Sequence, residues 1–375
     1  MAGIYIHVPF CRQACHYCNF HFSTNPALQN DFTAALLKEI ELRRDYLNQE
    51  TVETIYFGGG TPSLMPVSAI VDILESVCSR FTISPNPEIT LESNPDDMQP
   101  DRLKAWKEAG VNRLSIGVQS FFTEDLLWMN RAHNAEEALL AIGQAKSFGF
   151  DNFSLDLIYG LPGLTDEKWG INLHTAMSLE PAHISCYALT VEPKTALFKM
   201  IESKRIPAVQ PEKQASQFLI GIQELESAGF EHYEISSFAR PGKRSRHNSA
   251  YWQSKKYLGL GPSAHSFDGV SRQWNISNNA LYIKSLKAGQ LHFESENLQP
   301  RDILNEYIMT SLRTMEGLDL QYVSAHFGKE KEILLRNNAV VYIRSNQMER
   351  NNEKLVLTKN GKLFADGIAA ALFFD

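Results

Sequence analysis

Long apolar runs are missing from this chain: nowhere do about 18 apolar residues follow one another without interruption, which excludes a membrane-spanning helix. Positive charge is in deficit. Lys and Arg total 36 against 43 Asp and Glu, a formal net charge of -7, so nucleic-acid binding through a concentrated basic surface is excluded. One basic run stands out, RPGKRSRH at 240–247, and it reads as a solvated loop or a local anion-binding patch. The N-terminus lacks a charged segment leading into an apolar one, so no secretory signal is expected and the cytoplasm is the expected location. Cysteine is scarce, five residues in 375, and in a reducing compartment closely spaced thiols hold metal or do redox chemistry rather than form structural disulfides.

What is present suits a globular protein with a large core. Hydrophobic residues make up 43 % and charged residues 21 %, which leaves no long stretch to disorder. The length allows one large barrel or sandwich with a small appendage, or two to three average domains. Three of the five cysteines, Cys11, Cys15 and Cys18, crowd into FCRQACHYCNF at 10–20. Cys78 in LESVCSRF and Cys186 in HISCYAL are isolated among apolar neighbours and read as buried small hydrophobes.

Short β-rich runs fall at 3–8, 52–57, 88–93, 113–118, 152–159 and 183–189, with a further one, HYEISSFA, at 232–239. Between them DFTAALLKEIELRRDYL, VSAIVDILESVCSRF, QPDRLKAWKEAG and AEEALLAIGQAKSFGF carry apolar residues at helical spacing. Gly110 and Gly149 suit helix C-caps. Alternation of this kind predicts a parallel sheet with helices outside, an α/β fold in which six units form a partial barrel. Chemistry in such folds sits at the C-terminal ends of the strands. Cys11 follows the first strand, the turn Gly58-Gly59-Gly60-Thr61-Pro62 the second and Gln119 the fourth. Glu92 ends the third, Asp156 lies in the fifth and Ala188 is near the end of the sixth, so one mouth would collect thiols, a glycine-rich turn, carboxylates and an amide.

Three chemistries satisfy the thiol spacing. Zinc would take a histidine from His7, His16 or His21 as fourth ligand. A redox pair would need only Cys15 and Cys18. An iron–sulfur cubane normally takes four thiolates, so three would leave one iron open to a small molecule.

C-x-x-x-C-x-x-C after a first strand resembles the signature of the radical S-adenosylmethionine (SAM) superfamily. That resemblance implies a partial (β/α)6 barrel and a [4Fe-4S] cluster on Cys11, Cys15 and Cys18 whose open iron binds SAM. YIHVPFCRQACHYCNF, YFGGGTPS, LESNPD, NRLSIGVQSF, LDLIYGLPG and YWQSKKYLGLGPSAHSF together resemble the anaerobic coproporphyrinogen III dehydrogenase family, from residue 4 to about 270. Phe20 stands where the dehydrogenase carries a further cysteine, and the first ligand comes as early as residue 11; both features resemble the haem-chaperone branch, HemW. Within that family Tyr5, Tyr17, Gly59, Gly60 and Thr61 would line the SAM pocket, and Glu92, Gln119, Arg131, Asp156 and Ala188 would meet the rest of the cofactor. HNSAYW at 247–252 resembles a haem-handling motif, which makes His247 a candidate haem ligand, with Arg240, Lys243, Arg244 and Arg246 beside it for the propionates.

The resemblance further implies haem or a porphyrin as ligand, haem-acceptor proteins as partners and an electron donor such as a flavodoxin or ferredoxin, with no nucleic acid. Oxidative decarboxylation of coproporphyrinogen III to protoporphyrinogen IX is the alternative activity, and a zinc-bearing binding module the alternative of another class. The expected organisation is a barrel core over 1–240, a connecting segment over 241–285 and a small winged-helix-like domain over 286–375, with a β-hairpin turning near RNNEK.

Overall fold

In the computed structural model, which describes residues 2–374, the expected alternation is realised strand by strand. Parallel strands β1 (Ala2–Val8), β2 (Val52–Gly59), β3 (Ile83–Ser93), β4 (Arg113–Gln119), β5 (Phe153–Tyr159) and β6 (His183–Ala188) lie side by side in chain order. Helices α1 (Gln29–Leu42), α2 (Val67–Arg80), α3 (Pro100–Glu108), α4 (Thr123–Trp128), α5 (Ala135–Ser147) and α6 (Asp166–Ser178) supply the crossovers. After β6 come α7 (Ala196–Glu202) and α8 (Pro211–Ser227).

Strand periodicity explains the two faces of this sheet. Ile55, Phe57, Leu91, Leu114, Ile116, Leu155, Leu157 and Ile184 are fully buried in the core shared with the helices. Each such side chain contributes about 2 kcal/mol of burial free energy. The alternate positions are polar and stay in phase across the strands, with Tyr56 beside Thr90, Glu92 beside Ser115 and Gly117 beside Asp156. They line the barrel interior.

HYEISSFA departs from the single strand expected of it. It forms a hairpin of β7 (Glu231–Glu234) and β8 (Ser237–Ala239), and β8 pairs antiparallel to β6. The following segment enters the same sheet. Helix α9 (Arg246–Trp252) leads to β9 (Lys256–Leu260), which runs parallel to β1 on its free side. β10 (His265–Phe267) and β11 (Ser271–Asn275) precede α10 (Asn279–Lys287), and β12 (Phe293–Asn297) completes a sheet of twelve strands.

A second core starts at α11 (Pro300–Leu312). It includes β13 (Leu318–Asp319), α12 (Leu320–Phe327), α13 (Lys329–Arg344), the hairpin β14 (Met348–Asn351) and β15 (Lys354–Leu357), then α14 (Lys359–Lys362) and α15 (Ala365–Ala371). Ion pairs tie this domain to the barrel: Arg313 to Glu234 at 3.1 Å, Arg244 to Glu316 at 2.7 Å and Arg272 to Glu306 at 2.6 Å.

Cys186 is buried as expected, but Cys78 is exposed. The apolar stripe of α2 runs through Ile70, Ile73, Leu74 and Val77, and Cys78 falls beside it. Among the described residues, no helix is long and apolar enough to cross a membrane.

Candidate functional site

The cysteine segment leaves the end of β1 and is fastened at both ends. Cys11 N–H bonds to the Ser23 carbonyl at 3.0 Å and Ser23 N–H returns to Pro9 at 2.9 Å, which closes a loop around the three thiols. Arg12 reaches Asp96 and Asp97 beyond β3 at 3.1 and 2.6 Å. On the other side, His16 N–H and Nδ1 bond to the carbonyls of Met129 and Trp128, and Asn130 Nδ2 to that of Ala14. The Gly-rich turn fits underneath, with Gly60 N–H on Val8 and Thr61 N–H on Phe10. A Cβ on Gly60 would sit 2.6 Å from the Phe10 carbonyl oxygen, so only glycine allows the turn to come this close.

Cys11, Cys15 and Cys18 face one cavity of about 450 Å³ at the C-terminal ends of the strands. Of the residues read from the sequence, Tyr17, Gly59, Gly60, Thr61, Glu92, Gln119, Arg131, Asp156 and Ala188 line the same space. Glu92 accepts from the Tyr56 hydroxyl at 2.8 Å and from Gly59 N–H at 3.2 Å. Burial lifts its carboxyl to about 7, against the lowering effect of Tyr56. Asp156, which accepts from Ser115, is raised for the same reason. Burial also pushes the Cys11 thiol up to about 11. Arg131 lies between the polar wall and the thiols, donating to Asn94 Oδ1 at 2.6 Å, to the Gly117 carbonyl at 2.8 Å and to Cys15 Sγ at 3.5 Å. Gln119 holds φ at 68°, a left-handed conformation unusual for its residue type, where β4 opens into the cavity.

This donor set fits a cubane. Each thiolate of a cubane takes a different iron, so three thiols around one space suffice. Of the histidines considered for zinc, His7 uses both ring nitrogens, on Tyr5 and the His21 carbonyl, while His16 and His21 use one each, on the Trp128 carbonyl and Asn279. Among the described residues, no group of three or more His, Cys, Asp or Glu side chains is placed to hold one metal ion.

Two of the expected residues lie elsewhere. Tyr5 borders a neighbouring cavity with His7, Phe20 and His265. His247 is deep in the barrel, 2 % exposed, bonded through Nδ1 to Thr54 at 2.8 Å and through Nε2 to Tyr251 at 2.9 Å. The basic side chains expected beside it at the barrel mouth do not form a propionate pocket: Arg240 covers the Phe230 ring, Arg244 pairs with Glu231 and Glu316, and Arg246 bonds to the Asn86 carbonyl. Acidic and carbonyl partners close by have claimed the three arginines, and Lys243 is exposed.

Residues 5–173 match the radical SAM superfamily, and residues 298–364 match the HemN C-terminal domain. The heme chaperone HemW of Mycobacterium tuberculosis is 33 % identical over 99 % of this chain and 94 % of its own length. The chain belongs to the HemW family of radical SAM proteins. HemW of Bacillus subtilis is 31 % identical over 99 % of both chains, and HemW of Escherichia coli 32 % identical over 98 % of this chain and 96 % of its own. Among solved structures, coproporphyrinogen III oxidase (HemN) from Escherichia coli, a radical SAM enzyme, superposes with a TM-score of 0.86 at 22 % identity. That superposition covers 99 % of this chain and 90 % of the other, and it establishes a common fold. Membership of the radical SAM superfamily implies a [4Fe-4S] cluster and SAM.

Several cavity residues of this HemW-family chain escaped the sequence reading, among them Asn94, Ser115, Gly117, Ile158 and Tyr187. A usable signal was there. Asn94, Ser115, Gly117 and Ile158 lie two or four positions along the chain from Glu92, Gln119 or Asp156, and Tyr187 sits opposite Ile158 across the sheet, so strand periodicity projected from the known points finds them.

Proposed function

We propose that the chain is a haem chaperone that holds a [4Fe-4S] cluster on Cys11, Cys15 and Cys18, SAM in the adjoining cavity, and haem for delivery to acceptor proteins. The observation that carries this reading is the single cavity shared by three thiols and nine further residues singled out in the sequence. When bound, the cluster supplies one electron to SAM, delivered by a flavodoxin or ferredoxin type of donor. The protein's own residues orient and exclude water. Gly59 and Gly60 let main-chain groups approach the methionyl part, Arg131 and Gln119 offer donors, and Glu92 and Asp156 accept from hydroxyl or ammonium groups.

The names of the full-length relatives support haem handling over porphyrinogen oxidation. Phe20 supports it too: the position where the oxidising branch carries cysteine holds a ring that is 66 % exposed and borders two cavities. The proposed setting is the cytoplasm. Anaerobically reconstituted protein titrated with haem is expected to give a saturable Soret band, and reduced protein with SAM is expected to leave coproporphyrinogen III unconverted. Conversion to protoporphyrinogen IX over many turnovers overturns the chaperone reading in favour of the dehydrogenase.

A further inference from the structure

The motif YWQSKKYLGLGPSAHSF has a structural purpose that the cluster and SAM do not use. Its middle folds back tightly: a Cβ on Gly259 would sit 1.9 Å from the His265 carbonyl oxygen, and one on Gly261 2.4 Å from that of His7. Gly261 holds φ at 95°, which glycine adopts freely, and Ser263 holds φ at 65°, a left-handed conformation strained for a non-glycine residue. The result is His265, at the start of β10, facing a cavity of about 420 Å³ beside β1. Phe20 and Asn19 border both this space and the cluster cavity.

Every other lining group able to ligate iron makes a side-chain hydrogen bond to the protein, His21 through Nε2 alone. Tyr5 and His7 bond to each other, His21 Nε2 to Asn279 at 2.7 Å, Tyr251 to His247 and Tyr257 to Arg272. His265 differs. Of the eleven histidines in the chain, it alone has no hydrogen bond at either ring nitrogen among the described residues. Its ring is held in place by stacking on Trp274, with centroids 6.1 Å apart and planes at 29°. A ligand to iron needs a free nitrogen lone pair and an anchored ring, and a large planar porphyrin needs apolar and aromatic walls.

We propose that this cavity is the haem seat and that the His265 imidazole is the axial ligand to the haem iron. The inference rests on the haem-binding reading above and assigns its site. Partial burial and the nearby Arg272 charge lower the His265 pKa, which favours the neutral, ligating form at physiological pH. Phe20 contributes an open apolar ring for the macrocycle, so its loss is expected to weaken binding several-fold.

The test is a haem titration of the full-length, cluster-loaded protein followed by its Soret absorption, with His265→Ala, His21→Ala and His247→Ala compared to wild type. The His265 side chain is exposed and makes no hydrogen bond among the described residues, so its replacement is expected to leave the melting temperature unchanged. The expected result is a displaced Soret band and an affinity at least about tenfold weaker for His265→Ala. Free imidazole is expected to return the band to the wild-type position. Saturable binding by wild type with an identical band and affinity in His265→Ala overturns this inference alone. So does a band lost in His21→Ala or His247→Ala and kept in His265→Ala. Absence of haem binding by wild type overturns both the inference and the haem reading beneath it.

Discussion

The two ends of the barrel interior are built from the same strands at the same alternate positions, yet one end is open and the other is sealed. At the C-terminal end Glu92, Ser115, Gly117 and Asp156 border a cavity. At the opposite end Thr54, Tyr56 and Glu88 meet α9: the Arg246 and His247 amides donate to the Glu88 carboxylate at 3.1 and 3.0 Å, and the His247 ring stacks on Tyr56 with centroids 4.9 Å apart. A polar interior is thus compatible with either outcome. What decides is whether another segment brings matching donors, acceptors and rings to fill it. The sealed end is scaffold, and the open end is available for ligands.

The largest expected effect that tests this division is at the open end. Cys15→Ser is expected to abolish stable iron and sulfide binding, since a cubane with two remaining protein ligands is poorly held, while the melting temperature of cluster-free protein is unchanged. Acid-labile sulfide and iron analysis after anaerobic reconstitution measures it. A sulfide content equal to wild type would break the comparison at once.

His247→Ala is next. It removes two buried hydrogen bonds and a stacked ring from the sealed end, with an expected loss of about 3 kcal/mol of stability. Iron content is expected to be unaffected. Chemical denaturation read with iron analysis separates the two; iron lost with stability intact would move His247 from scaffold to site.

Glu92→Gln sharpens the comparison through pH. Burial raises the Glu92 carboxyl to about 7, above its unfolded value near 4.3, so between those limits the folded state binds more protons than the unfolded one. Stability then falls as pH rises through that window. Glutamine cannot ionise, so the variant's melting temperature relative to wild type is expected to be higher at pH 8 than at pH 5. A difference that does not change with pH refutes a strained carboxylate at this point.

Much of this division could be read from residues, and the part that could not has a physical reason. The six strands and the cysteine loop were legible because strand alternation and the three thiols are local patterns. So were Glu92 and Gln119, at or next to the ends of their strands, and Asp156 within the fifth. The fate of RPGKRSRHNSAYW was not legible. Whether Arg244 is a free cation or a partner of Glu231 and Glu316, 13 and 72 residues away, depends on tertiary contacts that composition does not encode. The same holds for His247, whose partner Thr54 is 193 residues distant. His265 was hidden for the opposite reason: its distinction is a lack of partners, which becomes visible only when every other histidine has been placed.

The smallest expected effect is at Gln119. A left-handed backbone at a non-glycine residue costs about 1 kcal/mol, and glycine relieves it while adding about as much unfolded-state entropy. Gln119→Gly is therefore expected to change stability by less than about 1 kcal/mol. No hydrogen bond anchors the Gln119 side chain among the described residues, so nothing in the fold itself requires the amide there. SAM titration of the reduced protein, followed by the electron paramagnetic resonance of the cluster, is expected to show weaker binding in this variant despite the intact fold. Strain kept at no structural gain, at the edge of the open cavity, is explained by a ligand that uses the amide. Equal SAM affinity in the two proteins would leave the backbone strain without that explanation and place Gln119 with the scaffold.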